Sequence, residues 1–337
     1  MVSIVVVALL WCNGPLSAAP EPRAGKLKDN LYGVDCVSAQ ACWAVGGFGT
    51  IVRTTDHGAT WKRQGSHTTQ PLYDVDFADA QEGWVVGRSG LILHTADGGE
   101  TWEQQQSDTD KHLFSVDFVG SQVGVAAGDW GAIVTTNDGG KTWVQRALAE
   151  DVILNDVSMV DGSHGFIVGE LGKVFATEDG GVTWTQRPND VQKSLFGCSF
   201  LDRQHGFAVG IDALIIETAD AGATWRVLNG STEIRALEQV GFAMAYESPS
   251  LYSIAVDGKL GIAVGEVGAV FLSTDGGQTW KRRTSEGEGR DSGWYRAISL
   301  ATGADGMIVG AKGDKAIVTD GEVKRPSEDS RAAEALH

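Results

Sequence analysis

Six segments of the chain end in the same eight-residue phrase, and that phrase constrains everything between its copies. The six run Thr54 to Trp61, Thr95 to Trp102, Thr136 to Trp143, Thr177 to Trp184, Thr218 to Trp225 and Ser273 to Trp280, each reading S/T-x-D-x-G-x-T-W. The first five closing tryptophans are spaced by 41 residues, and the last follows after 55. A seventh copy is worn: Val309-Gly310 aligns with Val86-Gly87 and Asp320-Gly321 with Asp97-Gly98, but the Thr-Trp is gone. A fixed period of this size marks a repeat architecture, whatever domain count the length alone suggests.

Each unit reads as four short strands. In the second, strand a is Leu72 to Phe77, strand b Gly83 to Val86, strand c Leu91 to Thr95, and strand d opens at Thr101-Trp102. Period-two alternation places Tyr73, Val75 and Phe77 on one face of strand a. Equivalent units begin near residues 31, 72, 113, 154, 195, 251 and 295. Four strands repeated seven times predict an all-β, seven-bladed β-propeller with four-stranded antiparallel blades over residues 30–325. A stacked solenoid would need polar capping ends, and none stand out. The worn last unit needs a closing strand, which either Lys26 to Asn30 or Gly321 to Arg325 could supply. Residues 326–337 read as a polar tail.

The 45 Gly and 11 Trp of the composition have places in this scheme. Glycines serve the turns, and six tryptophans close the repeated phrase. Within it, the Asp carboxylate accepts turn N–H groups and the Trp buries a large surface. Asp56, Asp97, Asp138, Asp179, Asp220 and Asp275 are therefore assigned a structural role. The oxygen ligands of a calcium loop are missing.

Export is the expectation for the N-terminus. Val2 to Trp11 is apolar but too short to span a bilayer, and Ser17-Ala18-Ala19 follows as a cleavage-like region. Residues 1–19 then form a signal peptide and 20–29 a linker, placing the protein in the periplasm or outside the cell. No later segment is long and apolar enough to make it an integral membrane protein. Cys36 and Cys42 flank the short a–b hairpin of the first unit, so a disulfide is expected in an oxidising compartment. Cys198 stands at the Val75-type position and should be a buried free thiol. A net charge of −17 argues against bare nucleic acid and anionic lipid as partners.

Trp84-Val-Val-Gly87-x-x-Gly90 followed by Thr95-x-Asp97-Gly-Gly99-x-Thr-Trp102 resembles Asp-box (BNR-repeat) propellers, and among them the YCF48/HCF136 family of photosystem II assembly and stability factors. The resemblance covers roughly residues 30–325. It implies a non-catalytic, lumenal or periplasmic propeller that holds a subunit of a membrane protein complex. Family members use an arginine-rich face for this; here Lys and Arg total 27 against 44 acids, and no arginine column repeats.

With strand a innermost, the b–c turns and d–a connections share one rim, and the Asp boxes take the other. Variable residues on repeated loops are where binding concentrates. The candidates are Phe48, Arg88, Asp129, Trp130, Glu170, Asp212, Glu266 and Lys312 on b–c turns, with Phe48 and Trp130 as apolar anchors. Phe242 and Tyr246 join them from the insertion that lengthens the fifth connection, residues 229–250. The alternative is a sialidase-like glycoside hydrolase or glycan-binding propeller. Two of Asp129, Glu170, Asp212 and Glu266 could then form its carboxylate pair. Its Phe/Tyr-Arg-Ile-Pro signature is absent, and Tyr246-Glu247 lacks arginine partners. His164 and His205 occupy equivalent loops without a third ligand, so no metal is assigned. Asp35, Asp76 and Asp117 recur on inner strands, lining an acidic channel or bonding to neighbouring strands. No catalytic residue and no cofactor are assigned; a monomer that binds protein is expected.

Overall fold

The computed structural model describes residues 27–233, 248–283, 293–301 and 304–325. Residues 1–19, expected to be an export segment, the 326–337 tail, Phe242 and Tyr246 lie outside the described residues. The chain forms seven four-stranded antiparallel sheets, each with its strands in chain order. They are radial blades of a β-propeller, in which strand a of each blade packs against strand a of its neighbours. The second blade pairs Leu72–Phe77, Gly83–Gly87, Ile92–Thr95 and Glu103–Gln105. The last is completed by Glu322–Lys324, which pairs with Lys315–Thr319 and buries Val323. The closing strand is thus C-terminal. Asp29 and Asn30 instead bridge first and last blades: Thr50 donates to Asp29 at 2.7 Å, and the Lys312 N–H donates to Asn30 at 2.9 Å.

Strand a departs from simple alternation. A register shift between Leu72 and Asp74 leaves Leu72, Val75 and Phe77 buried, with Tyr73 only half-buried. Tyr73 therefore does not share the face of Val75 and Phe77, because the extra residue of a bulge inverts the alternation. The same irregularity recurs at Leu31/Gly33, Leu154/Asp156, Leu195/Gly197, Leu251/Ser253 and Tyr295/Ala297.

The innermost strands are edges, with N–H groups that no fifth strand pairs. Side chains of the preceding blade accept from them. Asp35 accepts from the Phe77 N–H at 3.0 Å, Asp76 from Phe118 at 2.9 Å and Asp117 from Met159 at 2.6 Å. Ser158 accepts from Phe200 at 3.3 Å and Ser199 from Val256 at 3.4 Å. Ala255 interrupts the column, and Ser253 serves there through the Ile298 N–H at 3.4 Å. Ser299 closes the ring onto the Cys36 N–H at 3.0 Å. Every blade boundary carries such a bond, so the recurring aspartates are strand-to-strand acceptors.

The Asp boxes pin the c–d turns. Asp97 accepts from the Thr101 N–H at 2.9 Å, the Thr101 hydroxyl at 2.6 Å and the Thr95 hydroxyl at 2.8 Å, while Thr95 accepts from the Gly99 N–H at 2.8 Å. The same pattern holds Asp56, Asp138, Asp179, Asp220 and Asp275.

Between blades, aromatic rings stack: Trp43 on Phe77 at 3.7 Å, Trp84 on Phe118 at 3.6 Å and Phe166 on Phe200 at 3.7 Å. Phe77, Phe118 and Phe200 each also cover the glycine at or beside the start of strand b of their own blade. A Cβ on Gly83 would lie 2.4 Å from the Phe77 ring, and one on Gly124 2.3 Å from that of Phe118. In the first blade this Phe/Gly pair is replaced by Cys36 and Cys42, register partners joined by a disulfide. The disulfide fills the place of the ring. Replacing both cysteines by serine should therefore lower unfolding free energy by about 2 kcal/mol. Cys36→Phe with Cys42→Gly, which copies the second blade, should recover most of that in denaturant titrations. Equal instability of both double variants would refute the equivalence.

Candidate functional site

Each b–c turn is a tight loop whose central residue carries positive φ. These are Phe48 at 58°, Ser89 at 56°, Trp130 at 56°, Leu171 at 54°, Asp212 at 61°, Val267 at 49° and Lys312 at 55°. That region suits Gly or Asn; a bulky L-residue there costs about 1–2 kcal/mol. Yet Phe48, Trp130 and Leu171 occupy it with 78%, 58% and 64% of their surface exposed. Burial does not account for them. Lys111 lies over the Trp130 ring at 5.7 Å, beside a cavity of about 360 Å³ that also touches Asp108 and Ile133.

The charged candidates of this rim divide in two. Arg88 and Lys312 are exposed. The carboxylates are committed: Asp129 accepts from the His112 N–H at 2.7 Å, Glu170 from the Ile153 N–H at 3.0 Å and Glu266 from the Ser250 N–H at 2.9 Å. Glu266 also accepts from the Tyr252 hydroxyl at 3.1 Å, and Asp212 pairs with buried Lys193 at 2.9 Å. Each is bonded to the d–a connection beside its own turn. His164 and His205 lie on the opposite rim, where their rings meet Asp161 at 3.0 Å and Asp202 at 2.8 Å. No group of three metal-ligating side chains occurs among the described residues. Cys198 is a buried free thiol, and burial pushes its pKa well up.

The structure adds a ring that strand patterning missed. Because of the bulge, the second residue of each strand a turns to the channel mouth on this rim. The column reads Tyr32, Tyr73, Phe114, Asn155, Phe196, Tyr252 and Arg296. Tyr73 meets Tyr32 at 6.2 Å and Phe114 at 5.4 Å, Phe196 meets Tyr252 at 5.6 Å, and Trp294 stacks on Tyr32 at 6.0 Å. Reading the seven repeats as columns would have exposed it, since five of seven positions are aromatic.

The model for the family described as photosynthesis system II assembly factor YCF48 matches residues 65–152, 145–195 and 189–282, more than half of the chain. The chain belongs to the YCF48 family. A structure described as YCF48 bound to D1 peptide superposes with a TM-score of 0.67 at 21% identity, covering 87% of this chain and 93% of that one. YCF48 from Cyanidioschyzon merolae gives 0.63 at 18% identity, covering 89% and 96%. A GH74 xyloglucanase from Xanthomonas campestris gives 0.68 at 14% identity, covering 88% of this chain but 53% of that one. At these identities the superpositions speak for the fold. No curated protein matches in sequence.

Below the mouth, burial raises the pKa of the channel aspartates: Asp156 to about 6, Asp117 to about 7 and Asp74 to about 8, with Asp35 and Asp76 also raised. A carboxylate with a raised folded-state pKa stabilises most when protonated, below its unfolded pKa near ~4, and loses that contribution as pH rises through the folded value. The Asp boxes act oppositely. Hydrogen bonds to Thr101 hold Asp97 down to about 2, so its contribution is present above ~4 and fades as pH falls towards 2. Thermal unfolding should therefore show greatest stability near pH ~4 and a progressive decline of at least a few degrees from there to pH ~8. Asp74→Asn, which keeps an acceptor for the Val116 N–H, should flatten the alkaline limb; an unchanged limb would refute the assignment.

Proposed function

We propose that this propeller is a non-catalytic assembly and stability factor that holds a subunit of a membrane protein complex against its b–c rim. The observation that carries the reading is the placement of Phe48, Trp130 and Leu171 at strained, positive-φ turn tips where burial gives them no role. Exposed aromatic and aliphatic side chains on rigid turns are the material of interface anchors. Membership of the YCF48 family supports a photosystem II-type client, and a YCF48 structure described with a D1 peptide supports a polypeptide as the thing held. The apolar leader and the Cys36–Cys42 disulfide support a periplasmic or lumenal setting. The protein acts in this reading as a monomer. Carboxylates already bonded to connecting loops weigh against the hydrolase alternative.

Strain at the anchors gives a test with opposite signs for stability and binding. Phe48→Gly and Trp130→Gly remove about 1–2 kcal/mol of backbone strain and add ~0.5–1 kcal/mol of unfolded-state entropy. Each variant should unfold at the same temperature as the parent or slightly higher. The double variant should nevertheless lose at least tenfold in capture of its client from detergent-solubilised membranes. Undiminished capture, or a wild-type protein that retains no membrane subunit and instead binds on a glycan array, would overturn the reading.

A further inference from the structure

The first two blades each clasp the Asp-box turn of the blade that follows. The Gly98 carbonyl accepts from the Trp43 indole N–H at 3.0 Å and the Gln64 amide at 3.0 Å, and the Gly139 carbonyl from Trp84 at 3.3 Å and Gln105 at 3.2 Å. The same two glutamines accept from the indoles of Trp102 at 3.4 Å and Trp143 at 3.0 Å. At the third boundary this clasp is dismantled. One repeat on, Val125 stands for Trp84, Thr135 for His94 and Arg146 for Gln105. The Trp184 indole turns to the Gly181 carbonyl of its own turn at 3.0 Å, and the Gly180 carbonyl accepts no hydrogen bond among the described residues. A cavity of about 170 Å³ lies here, lined in part by Thr135, Asn137, Arg146, Asp179 and Gly180. Arg146 is half-buried, and its Nε is closed off from solvent without a partner. Among the described residues its guanidinium makes no hydrogen bond or ion pair, and neither the Asn137 amide nor the Thr135 hydroxyl has a partner. The fourth blade shows what is missing. There the equivalent Arg187 donates to Glu178 at 3.1 Å, whereas the residue at the Glu178 position of the third blade is the neutral Asn137.

We propose that this cavity between the third and fourth blades, on the Asp-box face, binds a phosphate group that keeps one proton. The guanidinium fork, the amide and the hydroxyl supply donors, and the Gly180 carbonyl supplies an acceptor. Tetrahedral hydrogen phosphate has oxygens for the donors and an O–H for the acceptor, while a carboxylate has no donor to offer. Asp179 forms part of the wall, with its oxygens accepting from the Thr183 N–H at 2.9 Å, the Thr183 hydroxyl at 2.7 Å and the Thr177 hydroxyl at 2.9 Å. Its negative charge favours the protonated anion over the fully ionised one. The group arrives either as free phosphate or as the monoester of a small molecule, on the face opposite the rim assigned to the client.

Calorimetric titration of the full-length protein at pH ~5.5, where phosphate retains a proton, compares inorganic phosphate, phenyl phosphate and sulfate. Inorganic phosphate should bind about tenfold more tightly than sulfate, which has the same shape but no O–H. Arg146→Gln puts back the residue of the first two clasps, so it should abolish phosphate binding while the unfolding temperature holds or rises slightly. Asn137→Glu, which copies Glu178, should abolish it by a second route, pairing with Arg146 from within the chain. Phenyl phosphate binding more tightly than inorganic phosphate assigns the site to a small monoester, and the reverse assigns it to the free anion. A wild-type protein that binds neither phosphate, or binds sulfate equally well, overturns the proposal without relying on any variant. Phosphate binding that survives both Arg146→Gln and Asn137→Glu also overturns it.

Discussion

The inner edges of the blades set the terms for the rest of the molecule. Seven radial sheets meet at their first strands, and each first strand exposes N–H groups that no fifth strand can pair. An Asp or Ser from the preceding blade accepts from that edge at every boundary, including the Ser299 bond that returns to Cys36. Placing carboxylates there forces burial, and burial raises their pKa values. The channel is therefore lined by acids whose polar atoms are largely committed to the wall. A bulge lies near the start of every first strand. It lets the strand present Asp or Ser to its neighbour while turning the second residue outwards to the mouth.

Blade architecture was legible in the sequence because it rests on local chemistry repeated six times. The Asp box needs only its own hydroxyls, carboxylate and glycines to form, so its spacing alone announces four strands per unit. Closure was not legible. The last repeat has lost its Thr-Trp, and Glu322–Lys324 is too short to be told from a loop. Register within strand a was also hidden: strict alternation put Tyr73 with Val75 and Phe77, and only the bulge separates them. The channel-mouth ring was missed for that reason, although its residues stand in plain alignment from repeat to repeat.

The rim candidates divide by physical role. Phe48 and Trp130 stand exposed where the sequence placed them, joined by Leu171, and their conformations carry a cost that packing does not repay. Asp129, Glu170, Asp212 and Glu266 occupy the same turns but spend their oxygens on connecting loops and on Lys193. A carboxylate's type and position in a repeat look alike whether it faces a ligand or an adjacent N–H; only the three-dimensional course of the d–a connection separates the two. Strain thus marks the proposed anchors more sharply than charge marks a catalytic pair.

If the b–c rim is the working face, contact with a client must be confined to it. A benzophenone-bearing residue at position 171 on that rim, or at position 182 on the Asp-box face, can be photolysed in solubilised membranes of the source organism. Both positions are exposed, at 64% and 48%. A discrete adduct with one membrane-complex subunit is expected from position 171 and none from position 182. Adducts of equal yield from both faces, or from the Asp-box face alone, would contradict it.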